Sequence, residues 1–301
     1  MSASDRALIT KARRVGSAAL AVPLTDDACN YLLAIIVRDL GHAARFPELS
    51  ADAPEFFGVR AVADPPMATA GDFSVLMTRL ADLDRDAVTY FKCLAALHKG
   101  RLKYHRILQS QPLPTVEQVG PRGLVQFGTL STRALAVLLF WRKWLYDIDN
   151  RAAQETGYLF EPVIASAVGG VAVSAKRSPV KRVGDGSKRR QIDCLMDDLA
   201  YEIKLRVTTA ASGQGRWNEE LTFPVDVRSS GLTPVLVVFD GTPNEKLDEL
   251  THAFRDAGGE AHVGSDAWLH LDEKAKQTMA KFLERYVRVP IQALLTEVHD
   301  G

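Results

Sequence analysis

Three cysteines in 301 residues, Cys29, Cys93 and Cys194, are too few and too widely spaced for a disulfide framework, and no CxxC pair offers a zinc cluster. They read as reduced thiols of a cytoplasmic protein, with Cys194 as a small core residue. No stretch reaches the length of about 18 apolar residues that a membrane span needs. The opening MSASDRALITKARRVGSAALAVPL also lacks a continuous apolar segment of the kind that directs secretion. Net charge is missing too: 37 Lys and Arg balance 37 Asp and Glu, so global charge singles out no polyanionic partner. There is no internal repeat, no GxxxxGK[ST] phosphate loop, no GxSxG elbow and no HExxH. Gly213-Gln214-Gly215 is too short a signal for a dinucleotide loop. His252, His262 and His270 lie near one another in the chain but lack ligand spacing, and read as structural or surface residues.

What is present is an ordinary globular composition, 47% hydrophobic, with enough apolar residues for one large core or two small ones. Residues 1–130 read as mainly helical, with apolar helical faces over Asp27–Leu40 and, broken, over Phe73–Leu97. Pro112–Gly123 reads as a connecting loop. A soft boundary near residue 130 is followed by an apolar helix through Leu135, Leu138, Leu139, Trp141, Trp144 and Leu145, whose Trp residues are expected in the core. A second helical stretch carries Glu155 and Glu161. Pro162 should break or kink it, which would let the Glu161 carboxylate point inwards. Gly169-Gly170 closes this element, and Val171–Ala175 opens the strands. Pro234–Asp240 is a continuous apolar run, hence a buried strand. Asn244–Ala257 is an amphipathic helix, Glu260–Val263 a short strand and Asp272–Val289 a closing helix. The fold expected over residues 131–301 is therefore α/β (α+β): a mixed central sheet flanked by helices.

The chemistry concentrates in RQIDCLMDDLAYEIKLRV. Residues 190–196 and 199–207 both alternate, with Ile192, Cys194 and Met196 on one strand and Tyr201, Ile203, Leu205 and Val207 on the other. A tight turn at Asp197-Asp198 makes them a hairpin in which opposed positions sum to 395. Asp193 then faces Glu202 on the side away from the apolar residues, with Lys204 beside Glu202. Opposed Cβ atoms lie only about 5 Å apart, so two carboxylates there call for a cation between them. Lys204 supplies one charge, and a hard divalent ion such as Mg²⁺, which often takes only one or two carboxylates, supplies the rest. The same spacing also suits a solvated hairpin face whose acids are surface charge, and a turn shifted by one residue would turn Asp193 away. With a metal, the set suits phosphodiester hydrolysis: Asp193 and Glu202 hold the ion, Lys204 orients water and offsets developing charge, and Glu161 can hold a second ion or remain a helix-surface acid.

Immediately upstream, SAKRSPVKRVGDGSKRR sets Lys176, Arg177, Lys181, Arg182, Lys188, Arg189 and Arg190 against the single acid Asp185. This run is either a solvated loop or a grip on a phosphate backbone. Downstream, Thr208–Trp217 reads as a Gly-punctuated loop that exposes Gln214 and Arg216 to a partner.

Ile192-Asp193, eight intervening residues and Glu202-Ile203-Lys204, preceded by a helical Glu161, resemble the PD-(D/E)xK nuclease superfamily, with Ile192 in place of the leading Pro. GPRGLVQFG, WRKWLYDIDNRAAQETGYLFEP, RQIDC, YEIKLRVTTAASGQGRWNEELTFPVD, PVLVVFDGTPNEKL, GSDAWLHL and FLERYVRVP resemble, more narrowly, the ApaLI-like type II restriction endonucleases over roughly residues 110–290. The resemblance implies a restriction-endonuclease-like core and Mg²⁺-dependent cleavage of double-stranded DNA, with one or two ions per active site, at a six-base-pair palindrome such as GTGCAC. It makes Asp193, Glu202 and Lys204 the active-site set, with Glu161 auxiliary, and implies a cognate methyltransferase in the same system. A palindrome has a twofold axis, so a C₂ homodimer would present one site to each strand. Base readout needs planar donors in the major groove: Arg206, Gln214 and Arg216 are candidates, Arg206 suiting phosphate equally. Lys176, Lys181, Lys188, Arg189 and Arg190 would hold the backbone. A less specific repair or junction nuclease of the same fold and a non-catalytic DNA-binding protein are the competing readings.

Overall fold

The computed structural model describes residues 2–13, 23–49, 53, 55–57, 71–207 and 214–299. The described chain forms two compact units, one of residues 2–76 with 94–159, the other of 77–93 with 160–301. Among the described residues no helix is long and apolar enough to cross a membrane.

The first unit is helical, as expected of the N-terminal region. Helix α1 (Ala3–Arg13) is followed by α2 (Asp26–Asp39), which starts where the Thr25 hydroxyl accepts the Ala28 N–H at 3.1 Å and is buried from Ala28 to Val37. Helices α3 (Phe73–Leu83) and α4 (Ala87–Ser110) are the broken helical region of the sequence, and each contributes residues to both units. The predicted loop over Pro112–Gly123 is instead largely helix α5 (Val116–Gly123). Its start is a capping box, in which Thr115 and Gln118 satisfy each other's backbone N–H groups, so the local signal outweighs Pro121 within the helix.

Helix α6 (Thr132–Ala167) also corrects an expectation. It runs unbroken through Pro162, although proline in a helix interior costs roughly 3 kcal/mol. Burial of Val163, Ile164, Ala165 and Ala167 around the proline offsets that cost. Its N-terminal half is not the core helix expected. Leu135 and Leu139 pack with Val119, while Leu138, Trp141 and Leu145 face outwards, Trp141 being 58% exposed.

The second unit is built on a five-stranded sheet in the order β1 (Val171–Val173), β4 (Ile192–Met196), β5 (Leu199–Lys204), β6 (Thr233–Val238), β7 (Glu260–Val263). β1, β4 and β5 are antiparallel neighbours, and β5, β6 and β7 are parallel, so the mixed sheet flanked by helices expected from the sequence is present. The chain enters it through Gly169 (φ 85°) and Gly170, where a Cβ would stand 2.3 Å from Cys194 Sγ. β2 (Lys181–Arg182) and β3 (Asp185–Arg189) form a separate two-stranded ribbon. Helix α7 (Gln214–Ser229) replaces the end of the loop predicted over Thr208–Trp217; Thr208–Gly213 lie outside the described residues. Helix α8 (Glu245–Asp256) begins at Asn244, whose side chain accepts the Leu247 N–H at 3.0 Å. The single closing helix expected over Asp272–Val289 is α9 (Ser265–Lys274), α10 (Gln277–Leu283), a π-helical turn at Glu284–Arg288 and α11 (Val289–His299).

Helices α7 and α8 cover one sheet face, where Trp217, Phe223, Val227, Leu250 and Phe254 pack with Ala200, Leu236 and Val238. On the other face the Tyr201 hydroxyl meets His270 of α9 at 3.2 Å. β5 therefore lies between two helical layers, and the half-buried hairpin read from the sequence is covered on both sides.

Candidate active site

The hairpin register is the predicted one. Met196 pairs with Leu199, Leu195 with Ala200 and Cys194 with Tyr201, around a turn in which Asp197 adopts φ 53°, tolerable for Asp. Pairing stops there. A continued ladder would next use the inward N–H of Ile203, but that N–H donates to Asp193 Oδ2 at 3.0 Å. The Asp193 carboxylate thus takes the place of a backbone acceptor and is fixed beside Glu202. Ile192 joins the α7–α8 core cluster, so β4 does not keep the strict alternation assumed from its sequence.

Glu202 and Lys204 point to the sheet face covered by α7, which weighs against the solvated hairpin face that the spacing also allowed. The Lys204 ammonium lies 3.1 Å from Glu202 Oε1 and 3.1 Å from Glu220 Oε2, the latter reaching in from α7. Sequence reasoning did not single out Glu220. The lysine–glutamate contact joins residues 16 positions apart on different elements, and the only local trace is the Glu219-Glu220 pair in a helix with a buried face. Glu161 on α6 completes the cluster through its electrostatic coupling to Glu202 and Lys204.

Burial decides between a charged site and a surface patch. Asp193 is 8% exposed, too little for a solvated hairpin face. Desolvation raises its pKa first, Glu202 and Glu161 raise it further, and the Ile203 N–H and Lys204 only partly oppose them, leaving it at about 8. The Glu161 carboxyl is also pushed up, by burial and then by Glu202. Desolvation works to discharge Lys204, but Glu202 and Glu220 more than compensate and its pKa is raised. The result is a partly buried ammonium held charged among carboxylates that destabilise one another's ionised forms. The electrostatically coupled Asp193, Glu202 and Glu161 offer only oxygen donors, the kind a hard divalent cation prefers, and added positive charge would relieve their repulsion.

The basic segment divides. Arg190 is buried, its Nε 2.6 Å from Asp226 Oδ2 and an Nη 2.7 Å from Thr222 Oγ1, both on α7. Arg182 pairs with Glu219 at 2.7 Å. These arginines fasten the β2–β3 ribbon to α7, so Arg190 is turned away from the surface on which sequence reasoning placed it. Lys176, Lys181, Lys188 and Arg189 are exposed, Lys188 lying 3.1 Å from Asp185 and Arg189 donating to the Ser178 carbonyl at 3.0 Å. Arg206 is exposed just past β5. Gln214 and Arg216 begin α7 rather than sitting in a loop, and their side chains lie outside the described set.

The sequence profile of the ApaLI-like restriction endonucleases matches residues 62–288. A curated relative, the type II restriction enzyme ApaLI of Acetobacter pasteurianus, is 54% identical over 237 residues, which cover 76% of this chain and 63% of the relative. The chain therefore spans somewhat under two thirds of that protein's length. No solved structure matches the chain. The family match contains every residue of the acidic cluster, so the Asp193, Glu202 and Lys204 group lies inside the matched region. This chain belongs to the ApaLI-like restriction endonuclease family.

Proposed function

We propose that this chain is a cytoplasmic type II restriction endonuclease that hydrolyses phosphodiester bonds at a specific palindrome in double-stranded DNA. The observation that carries the reading is the buried Asp193 coupled to the partly buried Glu202, Glu161 and Lys204, within a chain of this family. Mg²⁺ would be held by Asp193 and Glu202, with Glu161 available for a second ion, and when bound would supply Lewis acidity and acidify nearby water. Asp193 is positioned for this by the Ile203 N–H. Lys204 acts as a charged donor rather than as a base, because its two carboxylates keep it protonated. An ammonium has three N–H donors, and with two directed at Glu202 and Glu220 the third remains for the attacking water or a phosphate oxygen.

The proposed catalytic core lies within residues 131–301, with residues 1–130 serving as scaffold, dimerisation surface or DNA grip. Arg206, Gln214 and Arg216 are proposed to read bases and Lys176, Lys181, Lys188 and Arg189 to contact phosphates. A C₂ homodimer would match the symmetry of a palindrome. Support for a second copy comes from α6, where Val137, Trp141 and Leu145 form an outward apolar stripe at helical spacing. A cognate methyltransferase would protect the host sites.

Digesting a plasmid with the purified chain and Mg²⁺, then sequencing the ends, tests the proposal. Discrete fragments with one common end sequence are expected. A smear or structure-dependent nicking would replace it with a less specific nuclease, and binding with no cleavage would replace it with a non-catalytic DNA-binding protein.

A further inference from the structure

His262 and His270 are 8 residues apart, one on the edge strand β7 and the other on α9, and their rings stack with centroids 3.9 Å apart. Glu260, two residues before His262 on the same face of β7, brings its Oε2 to 3.1 Å from His262 Nε2. One ligand atom from each of Glu260, His262 and His270 falls within 4.8 Å of the others. In a tetrahedral site with bonds of about 2.0–2.1 Å, ligand atoms are separated by about 3.3 Å, so the His262–Glu260 edge is already at that length. Closing the His270 edges takes only a small side-chain adjustment.

The outer nitrogens are also occupied in the way a metal-binding histidine requires. His262 Nδ1 lies 2.8 Å from Asp266 Oδ2, and His270 Nε2 lies 3.2 Å from the Tyr201 hydroxyl. Such partners fix ring orientation and tautomer, leaving His262 Nε2 and His270 Nδ1 as the ligating atoms. His270 is a buried anchor, whereas the half-exposed Glu260 leaves a path for an ion and a water in the fourth position.

We infer that Glu260, His262 and His270 form a second metal site, selective for a borderline transition ion of the Zn²⁺ class. Two imidazoles and one carboxylate suit Zn²⁺ or Co²⁺ and not Mg²⁺, in contrast to the all-oxygen cluster around Asp193. The two sites lie on opposite faces of β5, because Tyr201, which holds His270, and Glu202 are adjacent strand residues. The ion would pin the edge strand β7 to α9. This inference does not depend on the nuclease reading.

The test uses the full chain carrying Asp193→Asn, which weakens the acidic cluster, stripped of metal and kept in excess Mg²⁺. Titration with Co²⁺ is expected to give one equivalent bound, with the intense visible absorption of a four-coordinate site, displaced by Zn²⁺ and accompanied by a higher melting temperature. Adding His262→Ala or Glu260→Gln, both at partly exposed positions, should abolish the absorption. Asp266→Asn, which removes only the outer partner, should weaken Co²⁺ binding by about 10–100-fold. Absence of a stoichiometric Co²⁺ signal, or a signal that survives both His262→Ala and Glu260→Gln, would overturn the assignment.

Discussion

Glu220 Oε2 lies 3.1 Å from Lys204 Nζ, joining helix α7 to strand β5 at the ammonium of the cluster. Lys204 thereby faces two carboxylates, one beside it on β5 and one from the helix above. The second glutamate, on the helix, helps hold the lysine charged.

Replacing Glu220 should therefore differ from replacing the groups it supports. Glu220→Gln is expected to lower the single-turnover cleavage rate by roughly 10–100-fold, the range usual for a residue that orients another. Ca²⁺-supported DNA binding should be unchanged, and the alkaline limb of the pH–rate profile should move to lower pH as Lys204 loses a stabilising charge. Lys204→Ala should abolish cleavage with binding retained. An unaltered rate and pH profile in Glu220→Gln would remove Glu220 from the site.

Asp193 gives a pH-dependent signature of the metal-free protein. Burial, then Glu202 and Glu161, hold its pKa at about 8 in the folded chain, against about 3.9 when unfolded. The folded state retains a proton that the unfolded chain gives up, so this group costs nothing below about pH 4, costs progressively more as pH rises, and levels off above about pH 8. Asp193→Asn removes the cost while keeping an acceptor for the Ile203 N–H. In EDTA, melting curves of the variant and the parent should coincide near pH 4, with the variant higher near pH 8. Mg²⁺ should stabilise the parent more than the variant, and more at high pH. A melting difference that does not vary with pH would refute the assignment.

Two neighbouring basic residues should fail in different ways. Arg190→Ala strands the buried Asp226 carboxylate and should cost about 3–5 kcal/mol of stability, measurable by urea unfolding. Lys188→Ala, at a side chain 67% exposed, should change stability by less than about 0.5 kcal/mol. It should instead reduce the salt dependence of DNA binding by about one unit of slope. Equal loss of stability in both variants would contradict the division of the basic segment.

Features carried by neighbours in the chain were legible from the residues. The Asp197-Asp198 turn set the register that brings Asp193 towards Glu202, and the unbroken apolar run of β6 announced its burial. The Thr115 and Gln118 capping box went unread, because the prolines of Pro112–Gly123 pointed to a loop. Pro162 misled because helix-breaking is a local tendency, and packing around Val163 and Ile164 overrode it.

By itself the sequence determined the strand pair, its register and the acid, acid, lysine spacing, because backbone hydrogen bonding and side-chain alternation act between near neighbours. Tertiary structure alone decided which charges lose their water. Only when α7 lies over β5 does Glu220 reach Lys204 and Arg190 turn inward to Asp226, and only the corner between β7 and α9 brings His262 onto His270. Desolvation depends on what covers a side chain, and that cover comes from distant segments.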